Sequence, residues 1–286
     1  MSPTRSSAEI ASRVGIAGGA LGIVAEDLVP HIADVAQEQL QNVLVWTDAD
    51  TTLLGVSTAL PKNDPVLARR MTVLSAGIVP TSSILSQTAL CRPGSVWIER
   101  WSNDVATVNV GGDATADEDV AALASVVIGE TAPRALADRL ALLVPGDRRN
   151  RVIRTSLRKN KVEVYELGVE APPDVLDAIT ANAAALGVPD VQLRLLGSIH
   201  DIMARGKPVL LRARMHGGVI QPGITIVYSS QTLDHAFRAV NGLATRADSI
   251  ARLGTLTGSL ATEDVAAIEL QLGAGDPLPM RLAFAL

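Results

Sequence analysis

One cysteine, Cys91, stands among 286 residues. A single thiol excludes an internal disulfide framework and any metal site built from several cysteines, and it suits a reducing, cytoplasmic compartment. Aromatic rings are nearly as scarce: three Trp, two Tyr and two Phe make up 2% of the chain. So few rings leave little material for a surface that stacks nucleobases, and they leave the core to Ala, Val, Leu and Ile. Neither sign of charge dominates, and the net charge of −5 gives no general attraction to nucleic acid or to an anionic membrane. Long apolar runs are missing too. Residues 14–25 are uncharged but carry Gly15, Gly18, Gly19 and Gly22, and the stretch is shorter than a membrane span. No signal-peptide cleavage pattern follows it.

What the chain does have is a large apolar fraction, 48%, arranged in strand-like and helix-like stretches. Residues 1–12 read as a polar, loose start, and the glycines up to Val24 as an entry to a helix over 26–41, where Leu28, Ile32, Val35, Ala36 and Leu40 share one face. Two hairpins follow. The first joins Val43-Leu44-Val45-Trp46 to a strand from Thr52 to Val56 through a turn containing Asp48 and Asp50. The second joins a strand from Val96 to Trp101 to another from Val105 to Val110 through Ser102-Asn103-Asp104. Between them, Asp64 caps a helix with Pro65 at its first position. A third strand is expected over 120–128, and Thr131-Ala132-Pro133 opens a helix to about Leu143.

After Gly146 the expected elements are a strand at 162–167, a helix over 172–187, a strand at 191–196 and a short helix over 198–205. Strands at 208–215 and 224–228 follow, then a helix from Thr232 and a closing hairpin of 266–272 with 280–286. The alternation predicts an α/β sheet covered by helices. The fold class expected is therefore α/β, with an extension, 1–25, followed by two units: an α+β domain of antiparallel hairpins, 26–145, and an α/β domain, 146–286.

The order helix, hairpin, helix, three strands, helix, carried by Leu40-Gln41-Asn42-Val43, by Asp64-Pro65-Val66-Leu67 and by Val96-Trp97-Ile98-Glu99, resembles the roadblock (dynein light chain) family, related to longin domains. That resemblance implies a sheet and a long helix that pair with a second copy or with a small GTPase. The second half is loosely similar to class I methyltransferases, in the passage from Ala181 to Val191 and in the stretch from Gln221 to Ser230. Glu166 or Glu170 would then grip the ribose of S-adenosylmethionine. Leu143-Val144-Pro145-Gly146-Asp147, however, holds one glycine where that family has a glycine loop.

Candidate residues are few. Trp46, Trp97 and Trp101 are the best partner-binding candidates. Trp97 and Trp101, four apart, share a face of a strand and could anchor a partner or pack a core. Arg148, Arg149, Arg151, Arg154, Arg158, Lys159 and Lys161 place seven positive charges in fourteen residues without an acid. If helical, this run is a linker helix or inter-domain face; the sharper reading is a surface facing phosphates of nucleic acid or an acidic partner. Asp48 and Asp50 serve turn geometry, Cys91 is a small core residue, and His200-Asp201 and Asp234-His235 are surface pairs. His216, after a strand, is a turn histidine. His31 has no partner at ligand spacing. No catalytic set, metal site or cofactor is expected. The chain thus reads as a non-enzymatic, self-associating or regulatory interaction protein without a pocket of converging reactive groups. The alternative is a methyltransferase-like enzyme acting on nucleic acid.

Overall fold

Both expected hairpins form in the computed structural model, which describes residues 7–24, 28, 40–47, 52–61, 94–103, 106–114, 131–144, 151–158, 161–205, 209–232, 234–236, 238, 254–256, 264–274 and 279–285. β1 (Leu40–Thr47) pairs with β2 (Thr52–Pro61), and β3 (Gly94–Trp101) with β4 (Ala106–Ala114). Their β-branched residues fit a pleated, half-buried surface. Beyond them run β5 (Arg151–Arg158), β6 (Lys161–Glu170), β7 (Val209–His216), β8 (Val219–Ile220), β9 (Ile224–Thr232), β10 (Asp264–Leu272) and β11 (Met280–Ala285).

The strands are ordered β6-β5-β4-β3-β2-β1-β11-β10-β9-β7, and β7 pairs back onto β6 from Val164↔His216 to Glu170↔Leu210. Ten antiparallel strands therefore close a ring, with β8 continuing the β9 side of β7. Closure pairs both edges of every one of these strands and removes the exposed edge on which sheets aggregate. A second long-range seam, Asn42↔Ala285 to Thr47↔Met280, joins the start of the ring to the end of the chain.

Five helices are described: α1 (Ser7–Leu21), α2 (Thr131–Ala141), α3 (Val175–Ala181), α4 (Ala183–Leu186) and α5 (Asp190–Met203). Side chains alternate across each strand, and the outward set forms one core with the helices. Leu211, Ala213 and Met215 of β7, Ile224, Ile226 and Tyr228 of β9, and Met280, Leu282 and Phe284 of β11 pack with Val14 and Leu21 of α1, Leu136 and Leu140 of α2, and Leu196 and Ile199 of α5. Each Val, Leu, Ile, Met or Phe among them contributes roughly 1.5–3 kcal/mol by leaving water.

The mixed helix-and-strand class holds, and its finer expectations do not. Among the described residues every strand pairing is antiparallel, so they form no parallel sheet of the methyltransferase kind, and Glu166 and Glu170 lie on an antiparallel strand. The hairpins do not make a separate roadblock-like sheet, because β4 continues into β5 and β1 into β11. Strands from both 26–145 and 146–286 share the one ring.

From Ser7 onward the expected loose start is instead α1. Its end is set by Gly22 at φ +67°, where Ile23 N–H reaches Gly18 O at 2.8 Å and Gly22 N–H reaches Gly19 O at 3.2 Å, an arrangement that satisfies the last carbonyls of a helix. Residues 191–196 are helical, not a strand: Gln192, Leu196, Ile199, His200 and Met203 are the buried positions of α5, at helical spacing. The basic run is no linker helix, since Arg151, Arg154 and Arg158 lie on β5 and Lys161 opens β6; Arg148, Arg149 and Lys159 fall outside the described residues. So do most of the expected helix over 26–41, the helix after Asp64, the strand at 120–128, most of the helix after Thr232, and His31, Asp48, Asp50 and Cys91. No described helix is long and apolar enough to cross a membrane.

Candidate active site in the barrel interior

The inward face of the same strands is chemically the opposite of the outward one. Between Met280 and Leu282 stands Arg281; between Ile268 and Leu270, Glu269; between Leu211 and Ala213, Arg212. Glu99 of β3 is 2% exposed, Glu166 of β6 5% and Arg281 8%. Charges removed from water this far require partners, and they have them. Arg281 Nη2 lies 2.5 Å from Glu99 Oε1, and its Nη1 lies 3.8 Å from Glu269 Oε1. Arg212 Nη1 lies 3.3 Å from Glu269 Oε1 and 3.5 Å from Glu166 Oε2. A continuous series of ion pairs thus runs Glu99–Arg281–Glu269–Arg212–Glu166 along the interior from β3 to β6. The Arg281 guanidinium also sits 5.9 Å from the ring centroid of Trp101, within cation–π range.

The arginines are not saturated. Among the described residues, the Nε–H groups of Arg212, Arg214 and Arg281 are buried and meet no hydrogen-bond partner. Each such orphan costs about 1–3 kcal/mol, a penalty that an anionic ligand would relieve. Arg212 and Arg214 line a cavity of about 260 Å³ walled by Gln221, Gly223, Thr225 and Gln271 among others, where the entry to β9 meets the end of β10. No three His, Cys, Asp or Glu side chains converge as a metal set among the described residues.

Of the residues singled out from sequence, Trp101 is buried on the inward face beside Arg281. Trp46 is half-buried on β1, with its backbone paired to that of Arg281. Trp97 lies on β3 in register with Ala59 and Asn109. Arg154 is in register with Glu166 and Gly111. His216 is exposed at the end of β7.

His200 faces the outer core rather than solvent. Its Nδ1 is 2.7 Å from Tyr228 Oη, and burial pushes the phenol up and the imidazole down, with Asp201 opposing the latter. Asp234 binds Arg238 at 2.8 Å, and His235 Nδ1 lies 2.8 Å from Gln231 Oε1. Sequence reasoning missed Glu99, Arg212, Arg214, Glu269 and Arg281. The available signal was a lone charge set between apolar residues of a strand, repeated in β7, β10 and β11.

No family model matches the chain, and no curated protein sequence matches it. Solved structures do. The 5-dimethylallyltryptophan synthase from Streptomyces coelicolor superposes with a TM-score of 0.68 at 11% identity, over 97% of this chain and 96% of that one. The 6-dimethylallyltryptophan synthase from Micromonospora olivasterospora, in complex with DMASPP and Trp, gives 0.64 at 12%, over 98% and 96%. PriB, in a binary complex with product diphosphate, gives 0.62 at 12%, over 98% and 95%. The fold is therefore that of the aromatic prenyltransferases, and the roadblock and methyltransferase resemblances are overturned. The expectation of a non-enzymatic, regulatory interaction protein falls with them: the structures sharing this barrel include synthases, and its interior gathers the converging ionisable groups thought to be missing.

Proposed function

We propose that this chain transfers a short allylic group, such as dimethylallyl, from its diphosphate to an electron-rich aromatic acceptor of the indole type inside the barrel. The observation that carries this reading is the pair of buried Nε–H donors of Arg212 and Arg214, unpartnered among the described residues, at a cavity whose Arg212 is itself paired with the buried carboxylates Glu166 and Glu269. Similarity of fold to dimethylallyltryptophan synthases supports it.

In this reaction the bond between the allylic carbon and the diphosphate oxygen breaks, and its electron pair leaves on the diphosphate. Arg212 and Arg214 hold that leaving group and stabilise the charge it gains. The allylic cation is met by the ring face of Trp101. The acceptor ring supplies an electron pair for the new carbon–carbon bond, becomes cationic, and loses a ring proton to restore aromaticity. Glu99, held in place by Arg281, is the interior carboxylate assigned to offset that positive charge and take the proton. The cytoplasm is the compartment in which we place this activity.

Incubation with dimethylallyl diphosphate and tryptophan, indole or a tryptophan-containing dipeptide, followed by mass spectrometry, tests the reading. An acceptor gaining one dimethylallyl unit with stoichiometric pyrophosphate release is expected, and the Arg212→Gln/Arg214→Gln double variant should lose both. No product with any of these acceptors, and no pyrophosphate release, would contradict it.

A further inference from the structure

The wall of the arginine-lined cavity is a backbone crossing. Gly223, at φ +78°, and Gly273, at φ +79°, pass so closely that a Cβ on Gly223 would lie 1.6 Å from Leu272 O, and one on Gly273 would lie 2.6 Å from Gly223 Cα. No other residue fits at either position. The crossing is braced from behind by two helices. Arg139 of α2 donates through Nε to Gly223 O at 3.0 Å and through Nη2 to Leu186 O at 2.5 Å. Leu186 O also accepts from Gly223 N–H at 2.6 Å. Gln192 of α5, 3% exposed, accepts from Gly273 N–H at 2.7 Å through Oε1. Neither Arg139 nor Gln192 lines the cavity, whereas Gly223 and Gly273 both do.

We infer that Arg139, assisted by Gln192, is a positioning residue for the anion pocket: it fixes the backbone wall that lines the cavity together with Arg212 and Arg214 and so sets the width available to the leaving diphosphate. The inference rests on the reading that these two arginines hold the diphosphate. A guanidinium is suited to the task because its fork reaches two carbonyls at once, which an ammonium does less well. Residues behind a binding site commonly govern ligand affinity through the groups they orient.

The test is calorimetric titration of inorganic pyrophosphate into the wild-type chain and the Arg139→Met, Arg139→Lys and Gln192→Leu variants, with melting temperatures and donor KM and kcat measured alongside. Arg139→Met should weaken pyrophosphate binding on the order of tenfold and raise donor KM in proportion, with kcat at saturation near wild type. Arg139→Lys should recover part of the loss, and Gln192→Leu should show a smaller loss in the same direction. If Arg139→Met fails to fold, the other two variants decide. Variants with lowered melting temperature but wild-type pyrophosphate affinity would show a merely structural brace and overturn the inference. A wild-type chain that does not bind pyrophosphate would instead overturn the reading of Arg212 and Arg214, and the inference with it.

Discussion

On β11, Met280, Leu282 and Phe284 face the helices and are wholly buried, while Arg281 between them faces inward and joins Glu99 and Glu269. On β7 the same alternation sets Leu211, Ala213 and Met215 outward and Arg212 and Arg214 inward. The two faces share backbone, hydrogen bonds and register, yet one is aliphatic volume and the other is paired charge. The outer face needs only to fill space, since hydrophobic burial is non-directional. The inner face places ions where desolvation is costly, and replacing such a series with apolar side chains is commonly neutral or stabilising. Stability alone does not explain the inner face; the diphosphate proposed above as its ligand would.

Substitutions on the two faces should therefore separate activity from stability. The largest effect is expected at Glu99. Glu99→Gln keeps the shape but removes the carboxylate, and turnover should fall by about 10²–10⁴, the span of general acid–base catalysis, in a chain that still folds by circular dichroism. Wild-type turnover in that variant would remove Glu99 from the chemistry.

Phe284→Ala, on the outer face of β11, should cost about 3–5 kcal/mol in a denaturant melt while leaving donor and acceptor KM unchanged in the folded protein. A large KM change there would erase the division between the faces.

Trp101→Leu sharpens the comparison on the inside. Losing the ring should slow transfer by an amount matching a cation–π contribution of about 0.5–2 kcal/mol, read as kcat with both substrates saturating.

The smallest effect concerns His200 on the outside. Burial holds this imidazole below its ordinary value of 6.5, so the unfolded chain binds its proton more readily. Its share of stability is therefore full above that pH and declines as the pH falls through 6.5 towards the folded value. His200→Gln, which can still hydrogen-bond Tyr228, should flatten the acid side of a melting-temperature series relative to wild type. Equal slopes would show that His200 is not the group responsible.

Much of the strand content was legible because it is local: Val43 to Val56 and Val96 to Val110 each carry β-branched residues around a polar turn. Closure of the ring was not. The seams pair Asn42 with Ala285 and Val164 with His216, contacts across long sequence separations that leave no trace in periodicity. α5 was misread because Val191, Leu193 and Leu195 mimic a period of two, whereas its buried set, Gln192, Leu196 and Ile199, keeps helical spacing. The site was hidden for a related reason. Arg212 with Arg214, Glu269 and Arg281 come one or two to a strand, each inside an apolar stretch, while the dense run at 148–161 drew attention to itself. Only closure of the barrel brings the scattered charges together. The tryptophans were noticed for scarcity, and Trp101 does lie beside the charged series, as a wall of the interior.

A crystal structure of the chain with a non-hydrolysable thio analogue of dimethylallyl diphosphate tests the location of the site most directly. The diphosphate should rest on Arg212 and Arg214, with the allylic tail directed along the interior towards Trp101. An analogue bound among the helices outside the ring, or an interior left unoccupied at saturating concentration, would contradict the assignment.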